Sequence, residues 1–219
     1  MEKLDISQIK KEIKKLKKTT FGTSLPELRK FAKKIAKEEY KEFLDKNKNE
    51  TFELRLLHGY VLGYAKDDID ILLRYFDLFV PYVSDWAVCD TFCQSFKITK
   101  KYRDKVWNYL MRYKNSEKEF ESRIVSVMLL SHYLTDEYID KVIKILDGLN
   151  TNDYYSQMGV AWAIATAVAY YPEKCMDYLK SDKCHLDKIT LKKSLQKIKE
   201  SYRVSDKIKK SLCSYFSQK

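Results

Sequence analysis

Residues 136–180 read DEYIDKVIKILDGLNTNDYYSQMGVAWAIATAVAYYPEKCMDYLK, and this segment gives the clearest indication of the fold. Its apolar residues recur at the three- and four-residue spacing of amphipathic helices, which predicts helices over 136–148, 153–169 and 173–180. The connections between these predicted helices are only a few residues long, so consecutive helices should pack antiparallel. The stretch therefore indicates short helices stacked one after another.

The same periodicity covers most of the remaining sequence. Apolar residues mark a first amphipathic helix, and a second helix begins near Pro26. Helix pairs that recur about every 30 to 40 residues are typical of an all-α, HEAT-like repeat α-solenoid, whose concave groove we expect to be basic. No linker is visible, so a single domain over 1–219 is predicted, and a compact helical bundle is the alternative fold. The other predicted helices cover 50–65, 68–79, 84–96, 101–113, 117–133, 187–202 and 205–216.

Composition excludes several classes of protein. At 45% hydrophobic and 33% charged residues the chain should bury a sizeable core and be freely soluble. Five Gly and three Pro are too few for an all-β fold or for Gly-rich nucleotide loops. No apolar run approaches the roughly 18 to 20 residues of a membrane span, and the first residues lack a secretory pattern. We therefore expect a cytoplasmic, nucleoid-associated bacterial protein without a membrane partner.

The five cysteines include no CxxC pair, which favours reduced, buried thiols over a disulfide framework or a zinc knuckle. The three histidines are scattered along the sequence, and the adjacent Cys184 and His185 have poor spacing for metal ligands. No metal and no cofactor are therefore expected.

The positive charge lies mainly at the two ends of the chain. The formal net charge is +11, with 42 basic and 31 acidic residues. Residues 1–49 and residues 187–219 each carry a net charge of +7, whereas residues 50–186 carry −3. Basic clusters on an extended scaffold suit a phosphate backbone, although lysine-rich helices are often only solvated surfaces. We predict a polyanionic partner, and duplex DNA is the best candidate.

Four residues stand out as candidates for chemistry. Trp86 and Asp90 are four residues apart, so their indole and carboxylate should share one helix face. Trp162 is a single indole among alanines, and Arg123 begins an apolar helix where it requires an anionic partner. Each of these residues also has an ordinary explanation, namely a packed tryptophan, a salt-bridged carboxylate or an arginine paired with Glu119 or Glu121.

Taken together, these residues resemble the AlkD-type DNA alkylation repair family, whose members are built of HEAT-like repeats. Any one of the matching motifs is weak, but their order and spacing along most of the chain are fairly specific. The motifs are FGTSLPELR at 21–29, FELR at 52–55, Trp86 with Asp90, FESR at 120–123, YYSQMGVAW at 154–162 and KSLQKIKESYR at 193–203.

The resemblance implies a glycosylase that excises positively charged N3- or N7-alkylated purines from duplex DNA. It places the catalytic carboxylate, which stabilises an oxocarbenium-like transition state, at Asp90. It places the two indoles that flank the lesion at Trp86 and Trp162, and a backbone-binding arginine at Arg123. It implies no metal, no cofactor and a monomer. Lysines of 187–199, among them Lys192, Lys193 and Lys197, would hold the flanking backbone together with lysines of the first helix.

The sequence also departs from the family pattern. Ala87 stands where many members carry a second acidic residue, and Ala165 stands where many carry arginine. Near Thr20 and Phe21 the sequence has no tyrosine of the kind expected at that position. A HEAT-like module that binds DNA without cutting it is therefore the second hypothesis, and a protein-interaction scaffold is the third.

Overall fold

The computed structural model describes residues 6–19 and 22–217, and most of these residues are helical. Thr20 and Phe21, where the family resemblance begins, lie outside the described residues. The described ranges contain thirteen α-helices and one short antiparallel hairpin, β1 (Lys17–Thr19) with β2 (Gly22–Thr23). The helices are α1 (Ile6–Leu16), α2 (Leu25–Glu38), α3 (Tyr40–Lys46), α4 (Phe52–Tyr64), α5 (Ile69–Phe79), α6 (Trp86–Ser95), α7 (Arg103–Leu110), α8 (Glu119–His132), α9 (Ile139–Gly148), α10 (Tyr154–Tyr170), α11 (Pro172–Lys180), α12 (Lys188–Glu200) and α13 (Asp206–Ser217).

The chain divides into two compact units, residues 1–106 and 107–219, and the division falls within α7. In unit 1, α4 packs between α2 and α6, and α3 and α5 also contact α4. In unit 2, α10 packs between α8 and α12, whereas α9, α11 and α13 form a second row. These rows confirm the predicted all-α, HEAT-like solenoid class, while the single domain and the basic groove stay predictions.

The core of unit 1 is built on phenylalanines of α5 and α6, together with Phe96, which directly follows α6. The rings of Phe76 and Phe92 lie 4.6 Å apart, and those of Phe79 and Phe92 lie 5.3 Å apart. Phe96 is fully buried and contacts both Phe76 and Phe92 edge-on or tilted. This cluster fixes α6, whose Val88 and Phe92 are fully buried together with Phe96.

Neighbouring helices in the same row, α4 with α6 and α8 with α10, approach each other very closely at glycines. A Cβ atom on Gly63 of α4 would lie 2.4 Å from the Cβ of Ser95 on α6. A Cβ atom on Gly159 of α10 would lie 2.5 Å from the Oγ of Ser126 on α8. Because real Cβ atoms do not approach so closely, a side chain at position 63 would have to displace the backbone of Ser95, and one at position 159 would have to displace the Ser126 hydroxyl. Gly59 of α4 is also close to α6, because a Cβ atom there would lie 3.0 Å from the Cβ of Phe92.

Some predicted details were wrong. The apolar spacing over 50–65 predicts an inward-facing Phe52, but this residue is exposed because it is the first residue of α4, beyond the turns that pack. The separate helix α3 and the hairpin between α1 and α2 were not predicted, and several helices begin or end one to three residues away from their predicted bounds. None of the helices in 6–19 and 22–217 is long and apolar enough to span a bilayer.

The Gly63 contact gives a stability prediction. Gly63→Ala should lower the free energy of unfolding by about 1–3 kcal/mol, because the new methyl group must displace Ser95 or its backbone. Urea unfolding followed by circular dichroism measures this change. Gly148→Ala is the matched control, since a Cβ there meets nothing within 4 Å. Equal stability of the two variants would contradict the packing assigned to Gly63.

His58 gives a prediction for pH. Its ring is buried and stacks on Phe79 with centroids 4.3 Å apart, and burial lowers its pKa to about 3. In the unfolded chain this histidine binds a proton as pH falls through 6.5, whereas in the folded chain it stays neutral until pH approaches 3. The free energy of unfolding is therefore unaffected by this residue above pH 6.5 and decreases as pH falls from 6.5 toward 3. We expect the titration of this residue alone to lower the free energy of unfolding by about 2 kcal/mol between pH 7 and pH 5. The loss should disappear in His58→Phe when urea unfolding is compared at both pH values.

Candidate nucleic-acid interface

The start of α6 presents the predicted Trp86. The side chain of Asp85 caps the helix by accepting a hydrogen bond from the backbone N–H of Ala87 at 2.7 Å. Trp86 is the first residue of the helix, and it is 51% exposed while the next turns are anchored in the phenylalanine core. An indole exposed on a rigid helix end is a surface on which a sugar or a base could stack.

Asp90 lies one helical turn after Trp86. It is 9% exposed, so its carboxylate is at the boundary between the core and the surface. Its neighbours Cys89 and Cys93 are fully buried thiols, as predicted. In 6–19 and 22–217 no group of three His, Cys, Asp or Glu residues is arranged to hold a metal ion. A carboxylate with little solvent around it attracts a nearby cation more strongly than an exposed carboxylate does.

Arg123 of α8 is only 5% exposed, and its guanidinium points toward α10. Its Nη1 donates a hydrogen bond to the carbonyl oxygen of Tyr155 at 2.9 Å, and the Oε1 of Glu119 accepts one from the N–H of Tyr155 at 2.6 Å. Glu121, another partner suggested by the sequence, instead binds Lys118 and Ser116. Arg123 and Glu119 thus bind the carbonyl and the N–H of the same residue, Tyr155, at the start of α10. A phosphate contact for Arg123 stays a prediction.

Helix α10 carries the predicted Trp162 on a narrow exposed stripe. None of its seventeen residues is charged, and most of them are buried between α8 and α12. Tyr154 and Tyr170, at the two ends of the stripe, are each 58% exposed. The half-buried members between them are Tyr155, Met158, Trp162, Thr166 and Ala169. The stripe is therefore mainly aromatic and apolar.

Basic side chains of α12 and of the turn after it lie beside this stripe. The Nζ of Lys193 is 4.8 Å from the ring centroid of Tyr154. Lys197 lines an open pocket of 440 Å³ together with Trp162. Arg203 lines the same pocket and donates from Nη1 to the hydroxyl of Tyr170 at 3.5 Å. Cations and aromatic rings thus alternate along one surface of unit 2, as is common where proteins bind single strands or the edges of nucleic acids.

The predicted lysines do not all join this surface. Lys193 and Lys197 lie at the stripe, but the exposed Lys192 lines a different cavity of 690 Å³. That cavity also contains Leu191, Leu195 and Phe216, so it belongs to the side of α12 that faces α13. The reason is helical geometry, because neighbouring residues on a helix point about 100° apart. The role predicted for Lys192 in holding the backbone stays a prediction.

Sequence reasoning did not single out several residues of this surface. Tyr170, Tyr202 and Arg203 were not named as site residues, and the side chain of Tyr202 is fully exposed at the edge of the Trp162 pocket. One signal could have found them. A charge-free helix flanked by tyrosines and followed two helices later by a lysine-rich one indicates a buried helix with an aromatic edge.

The chain belongs to a family of DNA repair proteins. The family model described as "DNA alkylation repair enzyme" matches residues 2–198. The match covers most of the chain and includes all the site residues predicted from the sequence. No curated protein and no solved structure matches the chain. The family resemblance inferred from the sequence motifs is thereby confirmed, and with it a role in DNA alkylation repair.

The contact of Arg123 with α10 can be tested through stability. Arg123→Met keeps the length of the side chain but removes the charged donor to the Tyr155 carbonyl, so we expect unfolding to become easier by about 2 kcal/mol. Chemical denaturation in the absence of DNA measures the effect. Lys197→Met, which removes a half-buried cation from the same unit, should change stability by less than about 0.5 kcal/mol. An Arg123 variant as stable as wild type would leave DNA contact as the function of this side chain.

Proposed function

We propose that this protein is a DNA glycosylase that excises positively charged N3- or N7-alkylated purines from duplex DNA. One observation carries the proposal: a nearly buried carboxylate, Asp90, follows a half-exposed indole, Trp86, by one turn of a rigid helix in a DNA alkylation repair protein. An ion-stabilising group beside a stacking surface suits a reaction in which positive charge develops on the sugar.

The chemistry requires few protein groups. The alkylated base already bears a positive charge, so the glycosidic bond breaks with its electron pair leaving on the base, which becomes neutral. The sugar then acquires oxocarbenium character at C1′, and a water molecule adds to that carbon and loses one proton. The products are the free alkylpurine, an abasic sugar with a hydroxyl at C1′, and a proton. No general acid is needed, because the leaving group does not have to be protonated.

Asp90 supplies the charge in this proposal. Its carboxylate stabilises the cationic sugar and accepts, or orients, the proton of the attacking water. Trp86 offers its indole face to the cationic edge of the sugar, and Trp162 contacts the strand at the lesion. Lys193 and Lys197 contact backbone phosphates beside the aromatic stripe of α10, where their charges support binding without reading sequence. Arg123 serves this surface by fixing the start of α10 and, in addition, by contacting a phosphate.

The first test is the release of 7-methylguanine from a methylated duplex under single-turnover conditions. Asp90→Asn should reduce the rate constant at saturating protein by about 10²-fold or more, because it removes the charge while keeping the shape of the side chain. Asp85→Asn is the matched control on the same helix, since asparagine caps a helix as well as aspartate does. This variant should release base at nearly the wild-type rate.

The result separates the proposed activity from its main competitor. Ala87 and Ala165 leave open a module that binds DNA without cutting it. Duplex binding that weakens steeply with salt, without base release by the wild type, would reject the glycosylase and establish that module. Failure to bind DNA at any salt concentration would point to the protein-interaction scaffold instead.

A further inference from the structure

A group of four exposed lysines lies in unit 1, away from the basic ends of the sequence. Lys66 follows α4. Lys97 and Lys100 lie on the short 3₁₀ turn (Lys97–Lys100) that follows α6, and Lys101 comes directly after this turn. These four residues, which we call the lysine cluster, line one open pocket of 640 Å³ together with Tyr64. Because residues 50–186 carry a net charge of −3, counting charge by region does not reveal the cluster.

The fold builds the lysine cluster from two rigid parts. The close contact of Gly63 with Ser95 holds the last turn of α4 against the last turn of α6. The turns that leave the two helices therefore start side by side. In the segment that follows α6, Phe96 and Thr99 are fully buried, and the Thr99 hydroxyl donates a hydrogen bond to the Phe96 carbonyl at 2.7 Å. The lysines between and after these anchors are consequently held at the surface.

The carboxylates near the lysine cluster are engaged elsewhere. Asp67 is the one acidic residue among the described residues that line the pocket. Its carboxylate accepts hydrogen bonds from Lys41, at 2.8 Å, and from the hydroxyl of Tyr40, and these partners hold the pKa of Asp67 well below its usual range. Asp68 caps α5, and Asp70 pairs with Lys105 at 2.6 Å.

The positive charges of the lysine cluster are therefore left without balance inside the protein. Within 6–19 and 22–217, none of the four lysines forms an ion pair. Lys33 of α2 adds a fifth cation, 5.4 Å from the ring of Tyr64. A lysine at a helix C-terminus is favourable by itself, because it faces the negative end of the helix dipole. Several unbalanced lysines in one corner repel each other, however, so their arrangement favours an anionic partner.

We infer that the lysine cluster binds phosphates of the DNA backbone, at a site separate from the aromatic stripe of α10. The inference rests on the proposed DNA partner. Lysines are compact charges without the planar fork of arginine, so they suit contacts that hold a backbone and do not read bases. All four side chains are exposed, which lets a long polymer reach them together.

The distance along α6 places this contact relative to the lesion. Trp86 begins α6, and the lysine cluster follows its end after the helix's ten residues. At about 1.5 Å per residue the helix spans roughly 15 Å, which corresponds to about four or five base-pair steps at 3.4 Å each. For a duplex that runs along α6, the lysine cluster should contact phosphates about four or five base pairs from the lesion that Trp86 approaches.

The test compares two variants with equal loss of charge. The first replaces Lys66, Lys97, Lys100 and Lys101 by alanine. The control replaces Lys141, Lys144, Lys183 and Lys207 by alanine; these lysines are also exposed, but they lie on α9, after α11 and on α13. Affinity for a 25-base-pair duplex is measured across a salt series, after circular dichroism has shown that both variants are folded. Removing the lysine cluster should reduce the slope of log K against log salt by about 3 to 4, and the control should reduce it by less than about 1.

A second arm locates the contact on the DNA. Neutral methylphosphonate linkages replace the phosphates four and five positions from a central lesion, on both sides. Wild type and lysine-cluster variant should bind this duplex with nearly equal affinity, because the contact is absent in both complexes. Equal salt slopes for the lysine-cluster variant and the control would overturn the inference. Binding of inorganic pyrophosphate that the lysine-cluster variant loses, with an unchanged duplex slope, would also overturn it, in favour of a site for small phosphates.

This outcome is distinguishable from failure of the proposed glycosylase. If the wild type releases no base while the slope still falls, the glycosylase fails and the backbone site stands. If base is released and the slope does not fall, the backbone site fails and the glycosylase stands.

Discussion

Close approach between helices of the same row is the constraint on which the rest of this structure depends. At Gly63 and Gly159 the neighbouring helix occupies the space that any side chain would need. The contact at Gly63 sets where the turns after α4 and α6 begin, and it thereby assembles the lysine cluster. The contact at Gly159 brings the stem of Arg123 to 3.2 Å from the missing Cβ position, from where its guanidinium reaches the Tyr155 carbonyl. The packing of helices in each row thus determines where these basic side chains lie.

The absence of charge on α10 follows from the same packing. A helix held between α8 and α12 would have to remove any charged side chain from water, which costs several kcal/mol unless a partner is supplied. Aromatic residues can occupy its narrow exposed edge without that cost. The cations that face this edge therefore come from α12 and the turn after it, in the order Lys193, Lys197 and Arg203. Their partners on α10 are Tyr154, Trp162 and Tyr170, which follow each other along the chain in the same order. The two helices therefore run parallel, as alternate helices of a solenoid do.

The helical fold could be predicted because its signal is local. Apolar spacing, the cap at Asp68 and the proline at the start of α2 are each readable within a few residues, and the structure contains all three. The hairpin after α1 could not be predicted in this way, because its strands have only three and two residues. Phe52 was misjudged for a related reason, since periodicity gives the face of a helix but not which of its turns find a neighbour.

The site was less predictable than the fold, because burial and pairing depend on neighbours distant in sequence. The spacing of Trp86 and Asp90 correctly indicated one helix, but an exposed indole above a nearly buried carboxylate required the phenylalanine core to be known. Arg123 could be recognised as an arginine that needs a partner, although its hydrogen bond to a backbone carbonyl 32 residues away could not. Lys192 and Lys193 were equivalent in sequence, and only the packing of α12 separates them.

A single carboxylate also limits which lesions the proposed reaction can accept. A neutral purine leaves as an anion unless it is protonated, so its excision requires a general acid in addition to charge stabilisation. Asp90 in its charged form can stabilise a cationic sugar, but it cannot at the same time donate a proton. Ala87, beside Trp86, supplies no second acid, and the carboxylate of Asp85 on the other side is engaged in capping α6. If the proposed reaction is correct, its restriction to bases that already carry positive charge would follow from the side chains at the start of α6.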